Sequence, residues 1–131
     1  MAVVGIGIDI VEVERVADVI HRHGERFLNR VFTPREIAYC RTRKRYSEHF
    51  AARWAAKEAA LKALRLAFEG AVSWRDMEVV TGKMGAPSLK LHGAAAHLAR
   101  KQGISRVHLS ISHVAPLAVA CVVAEADEKL D

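Results

Sequence analysis

The chain has 131 residues, 51% of them hydrophobic and 27% charged, the make-up of an ordinary globular protein, which excludes wholesale disorder. Twenty Lys and Arg against fifteen Asp and Glu leave a net charge of +5. That surplus favours an anionic partner (nucleic acid, a phosphorylated cofactor or an acidic protein) without choosing among them. Aromatic residues are only 6%, which argues against single-strand binding by base stacking.

Cys40 and Cys121 lie far apart and form neither a disulfide framework nor a zinc ligand set, so a reducing compartment is expected. No signal-peptide pattern opens the chain and no run reaches the length of a membrane span. No linker, repeat or low-complexity tract divides it. The expectation is one cytoplasmic domain over residues 1–131, with no membrane partner.

Residues 3–11 read as a strand, with Val4, Ile6, Ile8 and Ile10 on one face and Val3, Gly5, Gly7 and Asp9 on the other. Two positions without side chains beside one carboxylate leave room for something bulky, a backbone or a ligand, to come close. Residues 12–23 read as a helix whose apolar side is Val13, Val16, Val19 and Ile20. Arg15 and Arg22, seven residues apart, project from nearly the same angle, and Arg26 extends that stripe if the helix survives Gly24. Thr33-Pro34-Arg35-Glu36 has the form of a helix start, with Thr33 as N-cap, Pro34 at the first helical position and Glu36 as capping-box partner. A basic run, Arg41 to Arg45, follows that short helix.

The longest helical signal begins near Ser47, is filled with alanine and stops at Gly70, with Phe50, Trp54, Leu61, Leu64 and Phe68 in a narrow arc. Residues 77–81 and 88–91 read as strands joined by a loop containing Gly82, Gly85 and Pro87. Residues 93–102 form a short helix ended by Gly103. Two strong strands follow, 106–112 and 117–124, with a turn at Val114-Ala115-Pro116 between them. The sum is an α+β fold, a mainly antiparallel sheet packed against one long central helix plus shorter helices.

Three groups of residues could carry chemistry. Asp9 stands on the glycine-bearing face, although a strand-end aspartate can also be a turn former or helix cap; the pattern is not a dinucleotide fingerprint. In the long helix, Glu58 and Lys62 have the spacing of a surface ion pair. Lys57 falls in the middle of the apolar arc, so either its stem snorkels or it meets an anion there. A helix face presenting Arg53, Lys57, Glu58 and Lys62 suits a phosphate group with a divalent metal, since magnesium takes one or two carboxylates and leaves positions for phosphate oxygens. Finally, alternation points His108, Ser110 and Ser112 to one face of their strand while Val107, Leu109 and Ile111 go to the core. Those polar groups form either a solvated sheet face or a donor ladder for phosphate or ribose oxygens. No Gly-x-Ser-x-Gly elbow supports a serine hydrolase.

Taken in order, Ile6-Gly7-Ile8-Asp9 and Trp54-Ala55-Ala56-Lys57-Glu58-Ala59-Ala60-Leu61-Lys62 resemble the paired signature of phosphopantetheinyl transferases. The short length, the Phe32-Thr33-Pro34-Arg35-Glu36 segment and the closing His108-Leu109-Ser110-Ile111-Ser112-His113 make the chain similar to the bacterial holo-acyl-carrier-protein synthases over almost its whole length. Trp54 stands where that family more often has phenylalanine.

The resemblance implies transfer of 4'-phosphopantetheine from coenzyme A to a serine of apo-acyl carrier protein, in fatty acid biosynthesis, with adenosine 3',5'-bisphosphate as the other product. It implies Mg2+ held by Asp9 and Glu58, with Lys62 steadying the phosphates, and Glu58 or a water on the metal taking the serine proton. Arg53, His108, Ser110 and the loop around Gly85 and Pro87 are expected to line the coenzyme cleft. Arg15 and Arg22 are expected to meet the acidic recognition helix of the carrier protein, and the short members assemble as trimers with clefts at the subunit boundaries. The competing reading is a basic, non-catalytic module that binds an acidic protein or nucleic acid, although no helix-turn-helix, KH or RRM signature accompanies the charge.

Overall fold

Two glycines let a strand lie directly on a helix backbone. In the computed structural model, which describes residues 1–66 and 72–127, strand β1 (Ala2–Glu12) lies directly on helix α4 (Tyr46–Ala63). A Cβ at Gly5 would stand 1.8 Å from the carbonyl oxygen of Ala63, and one at Gly7 2.0 Å from that of Ala59. The bare face of β1 therefore admits a helix backbone, and Ala55, Ala56, Ala59, Ala60 and Ala63, all buried, keep the helix slim enough to lie there. The room beside Asp9 is taken by protein.

Helix α1 (Val13–His23) follows β1 and ends at Gly24, whose φ of 50° belongs to the left-handed region that favours glycine. A separate helix, α2 (Glu25–Val31), starts there, so Arg26 does not extend the stripe of Arg15 and Arg22. Helix α3 (Pro34–Arg41) has the full capping box: the Thr33 hydroxyl accepts from the Glu36 N–H at 3.2 Å, and Glu36 Oε1 accepts from the Thr33 N–H at 2.9 Å.

Helix α4 stops at Ala63 rather than Gly70. The N–H of Leu66 reaches back to the carbonyl of Leu61 at 3.0 Å and that of Arg65 to Lys62 at 3.3 Å, a Schellman closure with Arg65 at φ 52° in the position usually given to glycine. Phe68 and Gly70, expected at the end of this helix, lie outside the described residues.

A 3₁₀ turn (Trp74–Asp76) leads to the hairpin β2 (Met77–Thr81) and β3 (Pro87–Leu91), then α5 (Gly93–Lys101), β4 (Ile104–Val114) and β5 (Leu117–Ala126). The main sheet has the order β1-β5-β4 with both pairings antiparallel. One face packs on α4 through Val122, Ala120, Ala124, Val107, Leu109 and Ile111. A second core joins α1, α2 and α3 to the first half of α4 around Phe32, Phe50 and Val31. The opposite sheet face carries Ile6, Ile8 and Ile10 at 66%, 58% and 60% exposure. No helix among the described residues is long and apolar enough to cross a membrane.

Candidate active site

Register decides what Asp9 can meet. It pairs with Ala120, which pairs with Ile111, so Asp9 shares the inner face of the sheet and points at α4. There Lys62 Nζ donates to Asp9 Oδ1 at 3.1 Å and to the Ile8 carbonyl at 3.0 Å. Lys62 thus bonds across to the strand, a partner that its spacing from Glu58 does not suggest. The other Asp9 oxygen, Oδ2, is buried without a hydrogen-bond partner.

Glu58 completes the group. Its carboxyl is pushed up to about 7 by burial first, then by hydrogen bonding to and the charge of Asp9; Lys62 and a hydrogen bond from Trp54 pull the other way. Burial and a neighbouring carboxylate both disfavour the charged form of Glu58. An orphaned buried oxygen of Asp9 beside a second carboxyl whose charged form burial disfavours is an oxygen pair suited to a cation. The set fits a magnesium-like ion, which needs only one or two carboxylates and prefers oxygen. Among the described residues no group of three or more His, Cys, Asp or Glu side chains gathers as an alternative metal site.

Beside this pair lies a cleft of about 470 Å³ lined by Ile10, Val11, Val16, Val19, Phe27, Trp54 and Leu117, with Glu12, Arg15 and Glu58 as its charged members. Arg15 and Arg22 are both exposed on α1, so the arginine stripe borders an apolar groove that ends at Glu58.

The helix face expected to present Arg53, Lys57, Glu58 and Lys62 together does not exist as one surface. Lys57 is fully buried and meets an anion, the capping-box carboxylate: its Nζ donates to Glu36 Oε1 at 2.8 Å, to the Met77 carbonyl at 2.6 Å and to the Trp74 carbonyl at 3.1 Å. Glu36 Oε2 accepts from the Val79 N–H at 3.0 Å, so the network joins α3, α4 and β2 with its charges paired. This pair is structural; it ties the helix that carries Glu58 to the rest of the protein.

Arg53 turns the same way as Lys57. Five residues from Glu58, it is rotated about 140° around the helix axis. It is buried, donates to Thr81 Oγ1 at 2.9 Å and lies over the Tyr39 ring at 4.3 Å, with its Nε unpartnered. Thr81 pairs with Pro87, so Arg53 and the Gly85–Pro87 end of the hairpin are brought together, apart from Asp9 and Glu58.

His108 and Ser110 stand on the outer face of the sheet, opposite to Asp9, aligned with Val123 and Cys121 and through them with Ile6 and Ile8. His108 is paired there with Glu125. Within one chain they do not join the carboxylates.

A cationic cluster escaped the sequence reading. Arg43 also lies over the Tyr39 ring, at 4.4 Å. His49 and His113 meet at 5.0 Å between rings, and His49 is held below its ordinary value by burial, then by His113, Arg53 and Arg43. The adjoining cleft, about 550 Å³, is lined by Arg43, Lys44, Arg45, Glu48, His49 and His113 among others, one acid against several cations. Its signal in the sequence was the run Arg41–Arg45, but nothing local links that run to His113, 68 positions after Arg45.

The chain is similar to known proteins over almost its whole length. The family model described as the 4'-phosphopantetheinyl transferase superfamily matches residues 5–121. The holo-[acyl-carrier-protein] synthase of Koribacter versatilis is 50% identical over 123 residues, covering 94% of this chain and 98% of that protein. The holo-[acyl-carrier-protein] synthase of Halothermothrix orenii is 47% identical over 121 residues, covering 92% and 96%. The crystal structure of the Neisseria meningitidis holo-[acyl-carrier-protein] synthase superposes with a TM-score of 0.86 at 35% identity, covering 95% of this chain and 99% of that one. The Helicobacter pylori enzyme of the same name, solved in complex with coenzyme A, gives 0.80 at 32% identity, covering 92% and 99%.

Proposed function

The chain belongs to the 4'-phosphopantetheinyl transferase superfamily, and from that membership we propose that Asp9 and Glu58 hold Mg2+ while 4'-phosphopantetheine passes from coenzyme A to a serine of apo-acyl carrier protein. Adenosine 3',5'-bisphosphate is the other product. The observation that carries the reading is the buried, partnerless Oδ2 of Asp9, with Lys62 on its other oxygen and the Glu58 carboxyl, pushed up to about 7 by burial and by Asp9, beside it.

When bound, such an ion would neutralise charge developing on the 5'-phosphate of the departing adenosine 3',5'-bisphosphate, and positioning supplies much of the remaining acceleration. Lys62, half-exposed and anchored on Asp9, adds a positive charge at the same place and is free on its solvent side to meet a phosphate oxygen. Glu58 lines the apolar cleft as well as facing Asp9, so it is the carboxylate that a serine entering the cleft meets, and it is suited to take the hydroxyl proton. The test is mass spectrometry of an apo-carrier protein incubated with this protein, coenzyme A and Mg2+. The carrier protein gains one phosphopantetheine group, and chelation abolishes the gain; an unmodified carrier protein contradicts the reading.

Arg15, at the rim of the cleft, and Arg22, one stripe further, fit an acidic helix of the carrier protein. Reversing both to Glu raises KM for the carrier protein by roughly 100-fold, in line with two lost charge contacts, while KM for coenzyme A changes little. Equal losses for both substrates contradict this docking.

The cationic cluster around Arg43, Arg53, His49 and His113, with the hairpin end at Gly85 and Pro87, suits the anionic nucleotide portion of coenzyme A. It faces away from Asp9 within one chain, which is the arrangement expected if two copies share each site. The exposed Ile6, Ile8 and Ile10 and the adjoining Val119, Cys121 and Val123 form an apolar sheet face fitted to be covered by further copies in a homotrimer. That arrangement brings His108 and Ser110 to a subunit boundary as well. Sedimentation velocity at micromolar concentration is expected to give three copies for the parent protein and one for Ile8→Glu; a parent monomer contradicts the assembly. Two free cysteines suit a cytoplasmic location, with a role in fatty acid biosynthesis.

A further inference from the structure

Tyr39 stands at the centre of the cationic cluster. It lies in the last turn of α3, where its carbonyl accepts from the Thr42 N–H at 3.2 Å and from the Thr42 hydroxyl at 2.7 Å. The guanidinium carbons of Arg43 and Arg53 lie 4.4 and 4.3 Å from the centroid of its ring. His49 meets the same ring in a T-shaped contact at 5.9 Å and touches His113 in turn. One half-buried ring thus gathers arginines from two elements, Arg43 from the turn after α3 and Arg53 from α4.

The partners of these arginines are neutral. Among the described residues neither is ion-paired with a carboxylate, whereas Arg41, two positions before Arg43, is taken up by Glu25. Arg53 is only 5% exposed, yet it has the Thr81 hydroxyl at 2.9 Å, a long bond to the His49 carbonyl at 3.4 Å, and a buried Nε with no partner. An acid in place of the ring would hold both side chains but cancel the charge that draws a phosphate. A tyrosine face holds a guanidinium through its quadrupole and leaves the charge and the outward N–H groups for another partner.

We propose that Tyr39 is a positioning residue, its ring face holding Arg43 and Arg53 near one another, charged and without an acid, to receive a phosphate of the nucleotide portion of coenzyme A. This rests on the reading that the cationic cluster takes that portion. Without the ring, Arg43 is an exposed side chain on a turn, with its rotamer freedom still to lose when an anion arrives. Stacked on Tyr39, it has given up much of that freedom beforehand. The contacts belong to the ring face rather than the hydroxyl, so phenylalanine serves in its place and leucine does not.

The test is calorimetric titration of the complete chain with adenosine 3',5'-bisphosphate, without metal or carrier protein. Tyr39→Phe is expected to bind within about twofold of the parent and Tyr39→Leu roughly tenfold more weakly. Turnover shows the same split: Tyr39→Leu raises KM for coenzyme A and leaves kcat and KM for the carrier protein nearly unchanged. Equal affinity in the parent and Tyr39→Leu overturns the proposal. An equal loss in Tyr39→Phe and Tyr39→Leu also overturns it, because the effect then lies with the hydroxyl. Arg43→Lys, at an exposed position that does not put the fold at risk, keeps the charge and gives up the planar stack. It is expected to bind roughly threefold more weakly, and parental affinity there overturns the proposal whatever the stability of the Tyr39 variants. Parental affinity in Arg43→Glu overturns the nucleotide placement itself, so the two failures are distinguishable.

Discussion

Asp9→Asn and Glu58→Gln each lower kcat/KM for carrier-protein modification by roughly 10³-fold or more, equivalent to about 4 kcal/mol of transition-state stabilisation. Both changes keep shape and remove a negative charge. The fold does not depend on that charge: burial first, and then the neighbouring Asp9, push the Glu58 carboxyl up to about 7 in the metal-free protein, so its charged form is disfavoured. Thermal melting without metal is thus expected to stay level or rise while activity is lost, the signature of a residue spent on function. The loss falls on kcat and on the Mg2+ concentration needed for half-maximal rate, more than on KM for the carrier protein. Either variant retaining activity within a few-fold of the parent, at moderate Mg2+, contradicts the assignment.

Gly7→Ala is expected to be nearly as damaging although no chemistry is removed. A methyl group there would sit 2.0 Å from the Ala59 carbonyl oxygen and 2.9 Å from the Ala63 nitrogen, both backbone atoms of α4 that no rotamer change can clear. The helix must lift from β1. Overpacking of this kind costs about 1–3 kcal/mol in a rigid core, and the damage is placed where it matters, because Ala59 adjoins Glu58 and Gly7 lies two residues before Asp9. A displacement of about 1 Å between reacting groups can cost 10²-fold in rate. Gly7→Ala is therefore expected to lower both the denaturation midpoint and kcat, by about 10²-fold in the latter. Unchanged stability and rate would falsify the claim that helix-on-strand contact sets the spacing of the two carboxylates.

Why some of this could be read from the chain and some could not follows from the range of each interaction. The capping box of α3 is local, and Thr33, Pro34 and Glu36 announced it within four positions. Alternation along β1 and β4 placed Asp9, His108 and Ser110 on their faces, but only pairing with β5 reveals that Asp9 faces inward and the other two outward. The paired glycines signalled a close approach; whether ligand or backbone came close depended on a helix more than fifty residues away. Lys57 demanded an anion, yet its partner was the capping carboxylate of another helix, already engaged in a local role. The end of α4 was misread because Arg65 adopts the left-handed conformation without being glycine, so the usual signal was missing. In each case local chemistry was legible and the long-range partner was not.

The most direct measurement is a crystal structure of the coenzyme A complex grown with Mn2+, with anomalous scattering used to locate the ion. The account predicts one anomalous peak bound by carboxylate oxygens of both Asp9 and Glu58 and by phosphate oxygens of the coenzyme. A peak that contacts neither carboxylate, or coenzyme bound with no ion between these two residues, contradicts it.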